Sequence, residues 1–290
     1  MECPPMNHIP ADDTSEFRNE SDYNLKRRHP ERTALYDEYA QRSETMRNNI
    51  AWSSFAYDTP DRCVLDWFPA EHSVGAPLMI FVHGGYWRGG DKRVFSFLAE
   101  GFRAEGVSMA MVGYELAPSV SIETIGIQVR RAIRHVMQKQ RELGFDSSRV
   151  TLSGHSAGAH LVAMASAYPD ELGVDGSALR VVGMSGVYDL TPVLESSLRQ
   201  EIGLTPAEAA SQSLPNGRLM KASEYLLLVG ERETPAFIDQ SRTFHRALVE
   251  RGVPSELQIV PGCMHFDIFK PLADRNDPVH RRVLETVTRR

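Results

Sequence analysis

The 290-residue chain holds only three cysteines, Cys3, Cys63 and Cys263, with no C-x-x-C spacing and no histidine–cysteine cluster. That scarcity excludes a disulfide framework and a structural zinc site. Cys263 stands two residues before His265 and reads as a small apolar residue beside a strand end. No apolar run approaches the roughly 20 residues that cross a bilayer, so no membrane partner is expected. The polar N-terminus lacks a basic segment followed by an apolar one, so no signal peptide is expected and the chain reads as cytoplasmic. Positive charge is in deficit: 32 Lys and Arg against 38 Asp and Glu give a formal charge of −6. Without a basic face to release counterions, nucleic acid is excluded as a partner. The short run Lys26-Arg27-Arg28 reads as a solvated helix or loop start. Internal repeats, low-complexity tracts and metal or cofactor motifs are all missing, which leaves a small-molecule substrate as the expected partner and a homodimer as an allowed state.

What the chain does have is 42% hydrophobic residues, enough for one large core, arranged as alternating strands and helices. Strands are predicted at Ser53–Tyr57, Arg62–Phe68, Pro77–Val82, Val107–Val112, Arg149–Leu152, Arg180–Met184, Tyr225–Val229 and Ser255–Val260. Helices are predicted at Ser96–Glu105, Ile122–Leu143, Ala157–Ala167, Phe237–Arg251 and Pro278–Thr288. The alternation implies an α/β fold, a mostly parallel sheet with helices on both faces, in one domain over residues 51–290. Residues 1–50 form an N-terminal arm, in which Leu35, Tyr36, Tyr39 and Met46 suggest a helix from Thr33 to about Asn48. A polar stretch at about 190–220 breaks the rhythm and reads as a small cap above the carboxyl edge of the sheet, where ligands bind in such folds.

Two motifs carry chemistry. Gly154-His155-Ser156-Ala157-Gly158 reads G-x-S-x-G, directly after a predicted strand and before a predicted helix. That turn forces the serine into a strained, exposed conformation, and its small neighbours let strand and helix approach. His83-Gly84-Gly85-Tyr86-Trp87 follows the earlier strand Pro77–Val82 and supplies a glycine-rich turn whose N–H groups can hold an oxyanion. The expected nucleophile is Ser156, and the expected oxyanion donors are the N–H groups of Gly85, Tyr86 and Ala157. Tyr86 and Trp87 are expected to line the acyl pocket, and His83 to anchor its loop. The remaining triad members follow in chain order, acid and then histidine. His265, just past the last predicted strand, is the candidate base. The acid is sought in Gly230-Glu231-Arg232-Glu233, with Glu233 favoured, Glu231 as the alternative and Asp189 read as a loop anchor. His155 reads as the variable residue of the elbow.

The strings His83-Gly-Gly-Tyr-Trp87, Gly154-His-Ser156-Ala-Gly-Ala-His-Leu161 and His265-Phe-Asp-Ile268 resemble the arylformamidase (kynurenine formamidase) branch of the α/β-hydrolases. Tyr114-Glu-Leu-Ala-Pro118 is similar to a pattern of the related hormone-sensitive-lipase-like esterases. The resemblance spans about residues 50–290, and it implies an α/β-hydrolase fold, a cofactor-free serine mechanism and an N-formyl aryl amide substrate. It also implies that the leading arm helps close the site. Family members usually carry aspartate where this chain has Glu233, whose longer side chain serves only if its loop sits further back. The motifs alone stop at acyl transfer and do not separate amide from ester.

Overall fold

A computed structural model of the chain describes residues 17–71, 74–214 and 221–289; Cys3, His8 and His72 lie outside them, as does the end of the cap stretch. Eight strands form one sheet in the order β1-β2-β4-β3-β5-β6-β7-β8. They are β1 (Ser53–Ala56), β2 (Val64–Phe68), β3 (Ala76–Val82), β4 (Ser108–Val112), β5 (Phe145–His155), β6 (Leu179–Met184), β7 (Glu224–Gly230) and β8 (Ser255–Val260). β2 runs antiparallel to β1 and β4, and every pairing from β4 to β8 is parallel. This is the mostly parallel sheet that the alternation of elements implies, and it agrees with the α/β-hydrolase fold that the resemblance implies. β3, β4 and β6 are buried along their whole length, as strands covered on both faces must be.

Each predicted strand is present. The largest difference is β5, which runs on through Ser153, Gly154 and His155 to the elbow. Its polar end carries no apolar alternation, but pairing with β3 and β6 on both sides holds it extended. Two apolar clusters fill the two faces, one built around Ile80, Leu152 and Val162, the other around Phe81, Phe102 and Val182.

The arm begins with short helical turns at Glu20–Tyr23 and Leu25–Arg28, then a helix at Arg32–Asn49. That long helix buries Tyr39 and Met46, but also Ser43 and Arg47. Arg47 donates to Asp66 of β2 at 2.5 Å and to Ser96 Oγ at 2.6 Å, and Lys92 Nζ reaches the same Asp66 carboxylate at 2.9 Å. A buried charge is tolerated only when paired in this way, which is how a mostly polar helix packs onto the domain. Two short helices, Leu198–Ile202 and Pro206–Gln212, lie in the cap stretch.

Candidate active site

Among the described residues, four non-glycine residues have positive φ: Tyr86 (51°), Trp87 (56°), Ser156 (55°) and Ser185 (52°). All four belong to turns at the carboxyl ends of β3, β5 and β6. Such conformations cost about 1–3 kcal/mol each and persist only where the surroundings enforce them.

Ser156 links β5 to the helix Ala157–Ala165, so the first N–H groups of that helix face the turn. Its own N–H is taken by Met184 O at 2.8 Å, which pins the elbow to β6. The flanking glycines are required by contact. A Cβ on Gly154 would strike Gly158 O, and one on Gly158 would strike Val82 O at the end of β3. The oxyanion loop is equally close, since a Cβ on Gly84 would stand 2.7 Å from His155 O and 2.9 Å from Ser156 Cβ. Gly85, at φ 123°, Tyr86 and Trp87 then turn in left-handed conformations beside Ser156.

Behind the elbow, His265 Nδ1 lies 2.8 Å from Glu233 Oε2, both side chains nearly inaccessible. A carboxylate accepts only, so Nδ1 carries the proton and Nε2 keeps its lone pair. Glu233 is itself held at Oε1 by Ser185 Oγ at 2.5 Å and by the Gly230 N–H at 2.8 Å. The chain turns at Glu233, whose N–H meets Gly230 O at 3.2 Å. Glu231 faces outward and caps the Gly262 N–H at 2.9 Å. Asp189 anchors its loop through the Thr191 N–H and Ser213 Oγ.

Four neighbours complete the setting. His83 is fully buried with Nδ1 2.8 Å from Gly84 O, its ring stacked on Tyr114, and Tyr114 OH donates to His83 O at 2.8 Å. Burial pushes the His83 imidazole down to about 4, so it stays neutral. His155 has a partner that the motif alone does not show. Its Nε2 lies 2.8 Å from the main-chain carbonyl of His265, and burial, then the adjacent His265, holds its imidazole well below the usual histidine range. As the carbonyl only accepts, His155 is the donor, and it ties the elbow to the loop that carries the base. Trp87 is fully buried, edge-on to His160. Tyr86 donates its hydroxyl to Tyr23 O in the arm at 2.5 Å.

The arm therefore lies over its own chain's site. Tyr39 OH donates to Phe266 O at 3.0 Å, and Thr234 Oγ1, beside Glu233, donates to Asp22 O at 3.1 Å. Gln240 donates to Tyr23 OH at 3.0 Å. Ser156 is 2% exposed and His265 3%. No group of three metal-ligating side chains occurs among the described residues, and no helix there is long and apolar enough to cross a membrane.

Sequence reasoning missed Ser185 and the second role of His155. Neither carries a local signal, because each acts on a residue brought near only by the fold.

The BD-FAE family model matches residues 65–243. A kynurenine formamidase of Salmo salar is 33% identical over 217 residues, 71% of each chain. The crystal structure of a thioesterase candidate from Silicibacter sp. TM1040 superposes with a TM-score of 0.83 at 28% identity, covering 94% of this chain and 99% of that one. A hyperthermophilic esterase from Pyrobaculum calidifontis shares the fold, with a TM-score of 0.71 at 17% identity and coverage of 89% and 92%.

Proposed function

This chain belongs to the BD-FAE family, in the arylformamidase-like branch of the α/β-hydrolases, and is a serine hydrolase; from that premise we propose that it removes a formyl group from an aryl amide such as N-formylkynurenine. The observation that carries the reading is the chain Ser185–Glu233–His265, whose last member is tied through its carbonyl to His155, the residue before Ser156 at the elbow. The relatives named kynurenine formamidase supply the substrate class. The near-complete burial of Ser156, with the arm tied to the oxyanion loop at Tyr86, suits the smallest of acyl groups.

In this mechanism His265 Nε2 takes the Ser156 Oγ proton as the oxygen attacks the formyl carbon. The developing oxyanion is held by N–H groups of Gly85, Tyr86 and Ala157, already fixed by the strained loop and the helix start. His265 passes its proton to the leaving aryl amine, and Glu233 stays ionised, stabilising the imidazolium. Water, activated by His265, then releases formate. His155 stays neutral throughout, so no second positive charge opposes the imidazolium at ring centroids 4.6 Å apart.

Steady-state rates on N-formylkynurenine and p-nitrophenyl acetate, with Ser156→Ala as blank, test the assignment. The proposal expects kcat/KM on the formamide to exceed that on the ester by orders of magnitude. Ester turnover alone would reassign the chain as a small-acyl carboxylesterase.

A further inference from the structure

The segment Tyr114-Glu-Leu-Ala-Pro118 takes no part in the steps above, yet it is bonded directly to the oxyanion loop. It leaves the sheet just after β4, where the Gly113 N–H donates to Val64 O of β2 at 3.0 Å. Glu115 is fixed on the other side by the helix Ile122–Gln138. Its N–H donates to Gln128 Oε1 at 3.0 Å, and its Oε2 accepts from Gln128 Nε2 at 2.6 Å. The segment is thus tied to a strand and to a helix, both parts of the rigid core.

From that base it holds the loop at two carbonyls. Tyr114 OH donates to His83 O, and the Ala117 N–H donates to Trp87 O, each at 2.8 Å. Arg62 adds a third point. Its Nη2 donates to Gly90 O at 2.7 Å and its Nε to Tyr114 O at 2.9 Å, so one guanidinium joins the far end of the loop to the same segment. Tyr114 is fully buried, with its ring 4.3 Å from that of His83 between centroids. Burial raises its phenol above the usual tyrosine range, against the pull of Arg62, so the hydroxyl stays a donor. Every one of these bonds to the loop ends on an oxygen. The N–H groups of Gly85 and Tyr86, lying between the held carbonyls, make no hydrogen bond among the described residues. The positive φ of Tyr86 and Trp87 falls within the held stretch, and such strain persists only where the surroundings enforce it.

We propose that Tyr114 is a positioning residue of the oxyanion hole: with the Ala117 N–H and Arg62 it clamps the carbonyls of His83, Trp87 and Gly90, and so keeps the N–H groups of Gly85 and Tyr86 set for the oxyanion. Donors held in place beforehand need no reorganisation as charge develops, so a small loosening of their frame lowers the rate without weakening substrate binding. The inference rests on the reading of this loop as the oxyanion hole and of Ser156 as the nucleophile.

Tyr114→Phe tests this, because it keeps the ring on His83 and removes only the hydroxyl. On p-nitrophenyl acetate, a substrate that does not depend on the formamide reading, kcat should fall about tenfold with KM within about twofold of wild type. Inhibition by trifluoroacetophenone reads the hole itself. Ser156 Oγ bonds to its carbonyl carbon, the Oγ proton passes to His265, and the carbonyl oxygen becomes an oxyanion. That inhibition should weaken about tenfold in Tyr114→Phe. The acid limb of the kcat profile should stay in place, since His265 and Glu233 keep their bond. Arg62→Met, at a partly exposed side chain, should show the same pattern with a smaller amplitude. A raised KM at constant kcat, ketone inhibition unchanged in both variants, or a shifted acid limb would overturn the proposal. Ketone inhibition that survives Ser156→Ala would instead remove the underlying reading of the nucleophile, and the proposal with it.

Discussion

The two ends of the sheet hold polar clusters of very different character. At the carboxyl end, Ser156, His265, Glu233 and Ser185 are buried, each bond is specific, and the backbone is strained at Tyr86, Trp87, Ser156 and Ser185. At the amino end, Arg180, Glu224, Glu256, Arg282 and Arg289 line a shallow surface cavity and form a loose ionic mesh. Arg282 meets Glu256 at 2.7 Å and Glu224 at 3.5 Å, while Arg289 meets Glu224 at 2.8 Å. None of these five residues has a positive φ. One sheet thus carries both a mesh of partly buried ion pairs on unstrained backbone and a dry, strained constellation. Strain marks where geometry is specified for chemistry; the count of charged contacts does not.

That contrast is broken most severely at the elbow. Ser156→Ala should lower kcat by about four to six orders of magnitude while the thermal midpoint stays close to wild type. Retained turnover in a steady-state assay would remove Ser156 from the mechanism.

Acid should expose the difference next. His83, folded with its imidazole near 4 against an ordinary value near 6.5, stays neutral while the unfolded chain gains a proton. The unfolded state binds more protons between these values, so stability rises with pH there and is lost as pH falls from about 6.5 towards 4. His83 alone accounts for about 3 kcal/mol at most, and buried His155 acts in the same direction. Urea midpoints at pH 7.5 and pH 4.5 should differ clearly; equal midpoints would contradict neutral, buried histidines.

Ser185→Ala removes one donor to Glu233 and keeps the backbone as it is, so it should cut kcat about tenfold and leave KM nearly unchanged. A KM effect with constant kcat would move Ser185 out of the positioning chain. At the amino end, Arg282→Ala should cost about 1–2 kcal/mol in stability, because its side chain is mostly buried while Glu224 keeps Arg289 as a partner, and should leave kcat/KM intact. A loss of activity there would show the two ends to be coupled.

Much of the strained end is legible in sequence because its chemistry is local. The glycines at 84, 85, 154 and 158 stand where a side chain would strike neighbouring backbone, and such positions read directly as turns. Glu233 and His265 follow from chain order past predicted strands. What is not legible depends on tertiary contact. Ser185 has no motif; it becomes a partner of Glu233 only because β6 and β7 are neighbours. His155 looks like any elbow residue until the His265 loop folds over it. The arm helix shows only a weak apolar stripe, since its docking uses Ser43 and Arg47 as much as Tyr39.

The central claim, that Ser156 is a nucleophile activated by His265 and Glu233, is tested most directly by covalent labelling with an alkyl fluorophosphonate and peptide mass mapping. The account predicts one adduct, on the peptide containing Ser156, abolished by Ser156→Ala and strongly slowed by Glu233→Gln. An adduct elsewhere, or labelling of Ser156 as fast in Glu233→Gln as in wild type, would contradict it.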